Sequence, residues 1–267
     1  IMRIFILTMD DPLFTAPFIK EIINVKKAGI IGLAVVNGDR ITIGRKKSRL
    51  LYIVSLFLIM GLPFFLKNSF ITIAFKVKKG LSKTHLLKPP SIGNFTRDLG
   101  IPTYEISNPN SRAFLTIIEN ARPDLIINQS QCILKRQLLD IPTLGVLNRH
   151  NALLPRNRGR LTPFWVLYRQ EKETGVSVHF VDEGIDSGPI VLQEKYQVSK
   201  NDTFKSLVLK NYQIAPKLML KAIDLLESGF KDYINNDDNK ASYNSTPTFN
   251  EAWSYRKRRI KRVFCSR

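Results

Sequence analysis

Apolar residues fall along this chain in two patterns, short continuous runs and stripes at helical spacing. Met2 to Met9 is a short apolar run that leads straight into Asp10 and Asp11, and it reads as a first strand. A helical stretch over 14–27 follows, then a β-type run over 29–36, so the chain opens strand, helix, strand. Further on, 101–106 reads as a strand, 111–120 as a helix, 125–129 as a buried strand and 144–147 as the next. Strands that alternate with helices predict an α/β architecture, a mostly parallel twisted sheet with helices on both faces. Reactive residues are then expected in the loops at the carboxyl ends of the strands.

The second half changes character. Val176, Val178 and Phe180 alternate with Ser177, His179 and Val181, and 189–198 is again extended, so two strands flank one acidic turn at 182–188. Asp202 or Thr203 can cap a helix that runs towards Gly229, with a break or kink near Pro216. Its apolar positions Phe204, Leu207, Val208, Ile223 and Leu226 would pack on the sheet. Residues 235–250 are polar and turn-rich and read as a linker. No internal repeat is visible.

One apolar run stands apart. Residues 50–66 are interrupted only by Ser55, Gly61 and Pro63, and basic residues border them on both sides. The run falls just short of the roughly 18 or more residues expected of a spanning helix. Three placements stay open: a helix in the core or at an interface with a second copy, a membrane-surface contact, and a true span.

Charge sharpens this division. The formal net charge of +19 is confined to two acid-free stretches, since twelve Lys and Arg fall between Asp39 and Asp98 and seven between Arg256 and Arg267. The rest of the chain is balanced, so a polyanionic partner or surface is expected at those two places. Two cysteines, Cys132 and Cys265, suggest neither a disulfide framework nor a metal site. The N-terminal run has neither the basic start nor the small-residue cleavage site of a secretory signal. A cytoplasmic location is expected, with peripheral contact at the inner face of the membrane as an open extension.

Candidate chemistry is concentrated between residues 100 and 200. Asn148-Arg149-His150-Asn151-Ala152-Leu153-Leu154-Pro155 is followed by Arg158-Gly159 and Pro163-Phe164-Trp165. Thr174-Gly175-Val176-Ser177-Val178-His179, then Asp182-Glu183-Gly184-Ile185-Asp186-Ser187-Gly188-Pro189 and Gln193, complete the set. Together these resemble the folate-dependent formyltransferase family, whose hallmark is Asn-x-His, a following Leu-Leu-Pro, and a distant Asp before a small-residue-Gly turn. The resemblance implies a Rossmann-like formyltransferase fold. It implies a catalytic domain over 1–230 with an insertion at about 40–97, then a polar linker and basic tail over 231–267.

Formyl transfer from 10-formyltetrahydrofolate to a primary amine passes through a tetrahedral intermediate with negative charge developing on oxygen. Asn148 offers a neutral amide donor and protonated His150 a charged one, and two residues apart on a strand end they project to one side. Asp186, from a separate loop, can hold His150 protonated or relay a proton through water from the attacking amine to the departing folate nitrogen. The resemblance further implies that Cys132, Ile133 and Leu134 border the folate pterin, with the 182–186 loop, including Asp182 and Gly184, closing the other side. His179 matches a family position that lines the site, and alternation equally allows it a structural place. His85 carries no functional expectation.

Departures from the family narrow the expected acceptor. The glycinamide-ribonucleotide enzymes have a Gly/Ser-rich phosphate loop after the first strand, where this chain has Thr8-Met9-Asp10-Asp11-Pro12-Leu13. The initiator-tRNA enzymes carry a substantial second domain, whereas only about forty residues follow the last expected helix here. The folate hydrolases carry a small domain ahead of the catalytic unit. What remains resembles the amino-sugar N-formyltransferases, so an amino sugar on a nucleotide or lipid carrier is the expected acceptor, a small anionic amine. A methionyl-tRNA formyltransferase-like enzyme is the alternative, in which the basic tail touches phosphates. A catalytically silent, membrane-associated folate-binding protein is a second.

Overall fold

A computed structural model of the chain describes residues 1–37, 49–81 and 91–265. The apolar runs form β1 (Ile4–Thr8), β2 (Ile30–Val36), β3 (Thr103–Ile106), β4 (Leu125–Gln129) and β5 (Gly145–His150). With β7 (Glu173–Phe180) and β8 (Ile190–Gln197) they make a seven-stranded sheet ordered β3-β2-β1-β4-β5-β7-β8. The first five strands pair in parallel, while β7 and β8 add antiparallel at one edge. This is the mostly parallel α/β sheet that the alternating pattern predicts.

Successive side chains of a strand point to opposite faces, so each strand feeds two cores. Ile4, Ile6, Leu33, Val35 and Ile127 face α1 (Thr15–Lys26) and α8 (Phe204–Glu227). Phe5, Leu7, Ala34, Ile126 and Val146 face α5 (Arg112–Ala121) and the short α6 (Arg136–Leu139). Thr203 caps α8 through a reciprocal box with Ser206. There is no break at Pro216, and α8 runs through it from Phe204 to Glu227. Buried Ala215, Leu218, Met219 and Ala222 pack on either side of it, and that packing carries the helix past one missing N–H.

The apolar run over 50–66 is not one helix. It divides at Gly61, where φ of +76° is a backbone conformation open to glycine, into α2 (Arg49–Met60) and α3 (Leu62–Leu81). Leu58, Ile59 and Phe64 pack against Phe164 and Trp165 of α7 (Thr162–Tyr168) and against Phe204 and Val208. That covers one face, as the core reading expects. Among the described residues no helix is long and apolar enough to cross a membrane, which corrects the spanning reading.

Described parts of the stretch read as a linker and tail pack against the body. Strand β9 (Tyr243–Asn244) pairs with β6 (Arg158–Gly159), and α9 (Phe249–Cys265) buries Ala252 and Tyr255 beside α2. Arg258 and Arg259 donate to the backbone carbonyls of Tyr168 and Asp202, so part of the basic excess is structural. Two short helices, α4 (Ile92–Asp98) and α7, were not legible as elements in the sequence. His85, Arg40, Arg45, Lys46, Lys47, Lys83 and Lys88 lie outside the described residues.

Candidate active site

Strand β5 ends between two partners, β4 and β7. Asn148 lies opposite Asn128 on one side and His179 on the other, and His150 lies opposite Ser177. Two residues apart, Asn148 and His150 share a face, while Arg149 points to the other. Asp186 reaches the same place from the 181–189 loop between β7 and β8.

The four side chains converge. Asp186 Oδ2 lies 3.3 Å from His150 Nδ1, and its Oδ1 lies 3.5 Å from both His179 Nε2 and Asn148 Nδ2. Asn148 Nδ2 is 3.4 Å from His179 Nε2. The backbone N–H of Gly159 donates to Asp186 Oδ2 at 2.9 Å. At His150 the other ring nitrogen, Nε2, lies 2.7 Å from the carbonyl oxygen of Asn157, which can only accept. Both nitrogens of His150 therefore face acceptors, an arrangement that suits the doubly protonated ring.

Electrostatics agree with that count. Burial alone would lower the His150 pKa, but the charge and hydrogen bond of Asp186, with the Asn157 carbonyl, raise it above the ordinary histidine value against the opposing charge of Arg149. Burial alone would raise the Asp186 carboxyl, yet His150 and then His179 hold it far below the usual carboxylate range. The pair is a buried ion pair.

Two asparagine and glutamine side chains absent from the sequence expectations set this geometry. Gln129 Nε2 donates to Asn148 Oδ1 at 2.8 Å, which turns the amide N–H group of Asn148 towards His179 and Asp186. Gln129 Oε1 in turn accepts from Arg149 Nε and Nη2 at 3.2 and 2.8 Å, and Arg149 lies over the ring of Tyr212 on α8. Buried Asn236, from the stretch read as a linker, donates to the carbonyls of Asp186 and Gly188 at 2.9 and 2.8 Å. It secures Asp186 in the left-handed backbone region, φ +52°, which a non-glycine residue occupies only when its surroundings impose it. Gly188 is required beside it, because a Cβ there would meet the Phe180 carbonyl oxygen at 2.1 Å. Such contacts leave no local pattern to read.

Replacing Asn236 with alanine is expected to lower unfolding free energy by about 2 kcal/mol, since a buried and a partly buried carbonyl lose their donor. Denaturant melting checks this, and a change within experimental error would show that the loop is held without it.

The remaining expected site residues divide. His179 is buried, its Nδ1 2.7 Å from the carbonyl oxygen of Phe180, and its Nε2 faces Asn148 and Asp186. Asp182 accepts from Gly184 N and Ser187 Oγ at 3.0 and 2.7 Å, and so folds its own turn. Cys132 is half-buried and Ile133 exposed, but Leu134 is packed into the core with Leu7, Phe114 and Leu138. Apolar packing thus holds the Leu134 side chain in place at the end of the loop after β4. At the end of β1, the Asp11 carboxylate accepts from the N–H groups of Leu13, Phe14 and Thr15 at 3.3–3.5 Å. A carboxylate of the chain itself thus occupies the helix N-terminus where a phosphate would bind.

This chain is similar to known proteins in sequence and in fold. Methionyl-tRNA formyltransferase from Kosmotoga olearia is 33% identical over 158 residues, 59% of this chain and 51% of that protein. The enzyme of the same name from a Wolbachia of Drosophila simulans is 33% identical over 196 residues, 69% of this chain and 64% of that one. The chain spans about half to two thirds of the length of these curated relatives. Among solved structures, glycinamide ribonucleotide transformylase 1 from Symbiobacterium toebii superposes with a TM-score of 0.59 at 18% identity, covering 89% of this chain and 95% of that one. An N-formyltransferase from Helicobacter canadensis, in complex with folinic acid and dTDP-3-aminofucose, gives 0.55 at 16% identity, covering 92% and 71%. Likeness at that identity shows a shared fold. The sequence profile of the formyl transferase family matches residues 71–223, which takes in Asn148, His150, Asp186 and the strands β4, β5, β7 and β8 around them. With more than half of its length matched, this chain belongs to the formyl transferase family.

Proposed function

We propose that this protein transfers a formyl group from 10-formyltetrahydrofolate to a primary amine carried on an anionic molecule. The observation that carries the reading is the convergence of an oriented amide donor, Asn148, on a buried His150–Asp186 ion pair at the carboxyl end of the parallel sheet.

In the reaction a bond forms between the amine nitrogen and the formyl carbon, the bond from that carbon to N10 breaks, and a proton passes from the amine to N10. Negative charge gathers on the formyl oxygen meanwhile. Asn148 Nδ2–H and His150 Nδ1–H supply a neutral and a charged donor for it. Their contacts to Asp186, 3.3–3.5 Å, are long and can yield to a stronger acceptor. A carboxylate held so far below its usual range is a weak base, so Asp186 acts chiefly by keeping His150 charged. The 130–133 loop, with Cys132, and the 182–186 loop flank Asn148 and are the proposed folate contacts.

Gln129→Glu tests the orientation of Asn148. The carboxylate still accepts from Arg149 but has no N–H for Asn148 Oδ1, so the amide loses its fixed direction. Turnover is expected to fall about tenfold or more while the melting temperature stays near the parent value. Unchanged turnover would remove Gln129 from the positioning machinery.

For the acceptor, the capped N-terminus of α1 argues against a ribonucleotide phosphate held there, and an amino sugar on a nucleotide or lipid carrier suits the basic surroundings. The second reading is methionyl-tRNA, supported by 33% identity over the matched part of those relatives. Incubation with 10-formyltetrahydrofolate and either acceptor, followed by mass spectrometry, decides between them. Inertness towards every amine despite folate binding would overturn the enzyme reading in favour of a silent binding protein.

A further inference from the structure

We infer that the hairpin of α2 and α3 is a docking surface for an anionic lipid bilayer. Helix α3 is apolar on two opposite sides. Phe64, Asn68 and Phe75 are buried on the side towards the rest of the protein. Leu62, Leu66, Phe70, Ile73 and Val77, spaced four, four, three and four residues apart, are 50–74% exposed. At about 100° per residue this spacing keeps all five along one side of a helix about 30 Å long. A long apolar stripe presented to water marks an interaction surface.

Charge identifies the occupant. On the helical projection Lys67 and Lys78 border the stripe on one side and Lys76 on the other, and all three are exposed. No Asp or Glu occurs anywhere in 49–81. Lysine stems can lie along an apolar boundary while their ammonium groups reach anionic headgroups, which is how an interfacial helix binds in the plane of a membrane. A second copy is a poorer fit, because pairing two such faces sets lysines against lysines with no acid to receive them. Burial of the opposite side of α3 sets the helix along a surface rather than through it.

The hairpin is also fixed relative to the candidate active site. Lys79 Nζ pairs with Asp10 Oδ2 at 2.9 Å, and Asp10 follows β1 two residues after Thr8, which lies opposite Gln129 in the sheet. The surface is therefore tied to the carboxyl end of the sheet, where Asn148 lies, and an amine presented at a membrane would be brought to that end. Docking itself does not depend on the formyl-transfer reading, because lipid binding is measured without either substrate.

Cosedimentation of the full chain with vesicles tests it. Binding is expected to equimolar phosphatidylcholine and phosphatidylglycerol, to weaken as salt rises, and to be absent with phosphatidylcholine alone. Phe70→Glu with Ile73→Glu should abolish binding. Lys67→Gln, Lys76→Gln and Lys78→Gln together should reduce it on the order of a hundredfold. These side chains are exposed, so circular dichroism should match the parent. Salt-insensitive binding to both vesicle types, absence of binding, or a dimer in ultracentrifugation that Phe70→Glu dissociates would each overturn the inference, the last in favour of a second copy.

Discussion

Alanine at His150 is expected to lower turnover by on the order of 10²–10³-fold, the effect of removing one preorganised donor to a developing oxyanion, about 3–4 kcal/mol of barrier. Two losses combine in this substitution. The charged N–H at Nδ1 disappears, and Asp186 is left a largely buried anion with Gly159 N–H, Asn148 and His179 beside it but without its closest charged partner. The second loss destabilises the fold as well, so His150→Gln is the informative companion, keeping a neutral donor without the ring's charge. If charge is what matters, His150→Gln should be nearly as slow as the alanine variant. If geometry suffices, it should recover much of the rate. Single-turnover rates with saturating 10-formyltetrahydrofolate separate the chemical step from binding, and near-normal rates in both variants would remove His150 from the chemistry. Combining Asn148→Ala with His150→Ala should cost less than the product of the two single losses, because both donate to the same charge.

The residues that could be read from sequence were those whose signal is local. Apolar runs gave β1, β2 and β4 because a buried strand leaves a run of such residues, and Asn148, His150 and Asp186 stood out through a motif several segments deep. Gln129 was legible as a loop boundary but not as the residue that orients Asn148, since its role exists only once β4 lies beside β5. Asn236 and Asn244 sat in a stretch that looks like a linker for a physical reason. They stabilise by hydrogen bonding to backbone and polar groups 48 or more residues away in the chain, without burying an apolar stripe. Leu134 shows what a motif leaves out. The family resemblance named it for its place in the loop after β4, and its packing with Leu7, Phe114 and Leu138 exists only once that loop lies on α5 and α6. The exposed stripe on α3 starts in the apolar run over 50–66 and continues past it to Val77, and only burial of Phe64 and Phe75 on the opposite side separates packed from presented residues.

Asp186→Asn is expected to reduce turnover on the order of a hundredfold near neutral pH and to move the alkaline limb of the pH–rate profile to lower pH. The direction follows from the causes acting on His150. Burial disfavours its charged form and the Asp186 anion outweighs that burial, so removing the anion leaves burial in control and the ring loses its proton earlier. Stability follows the same linkage. His150, with its folded pKa raised, contributes stability that is complete below its unfolded value near 6.5 and is lost as pH rises through the folded pKa. Asp186, with its folded pKa depressed, contributes above its unfolded value near 3.8 and loses that only as pH falls through the folded one. The parent protein should therefore exceed Asp186→Asn in stability most between those two values, by about 3 kcal/mol for a broken buried pair, with the gap narrowing at higher pH. Denaturant melts across pH and a pH–rate series on the same two proteins measure both effects. An alkaline limb that stays in place in Asp186→Asn would mean that Asp186 does not set the protonation of His150, and its role would reduce to fixing the loop through Gly159 and Asn236.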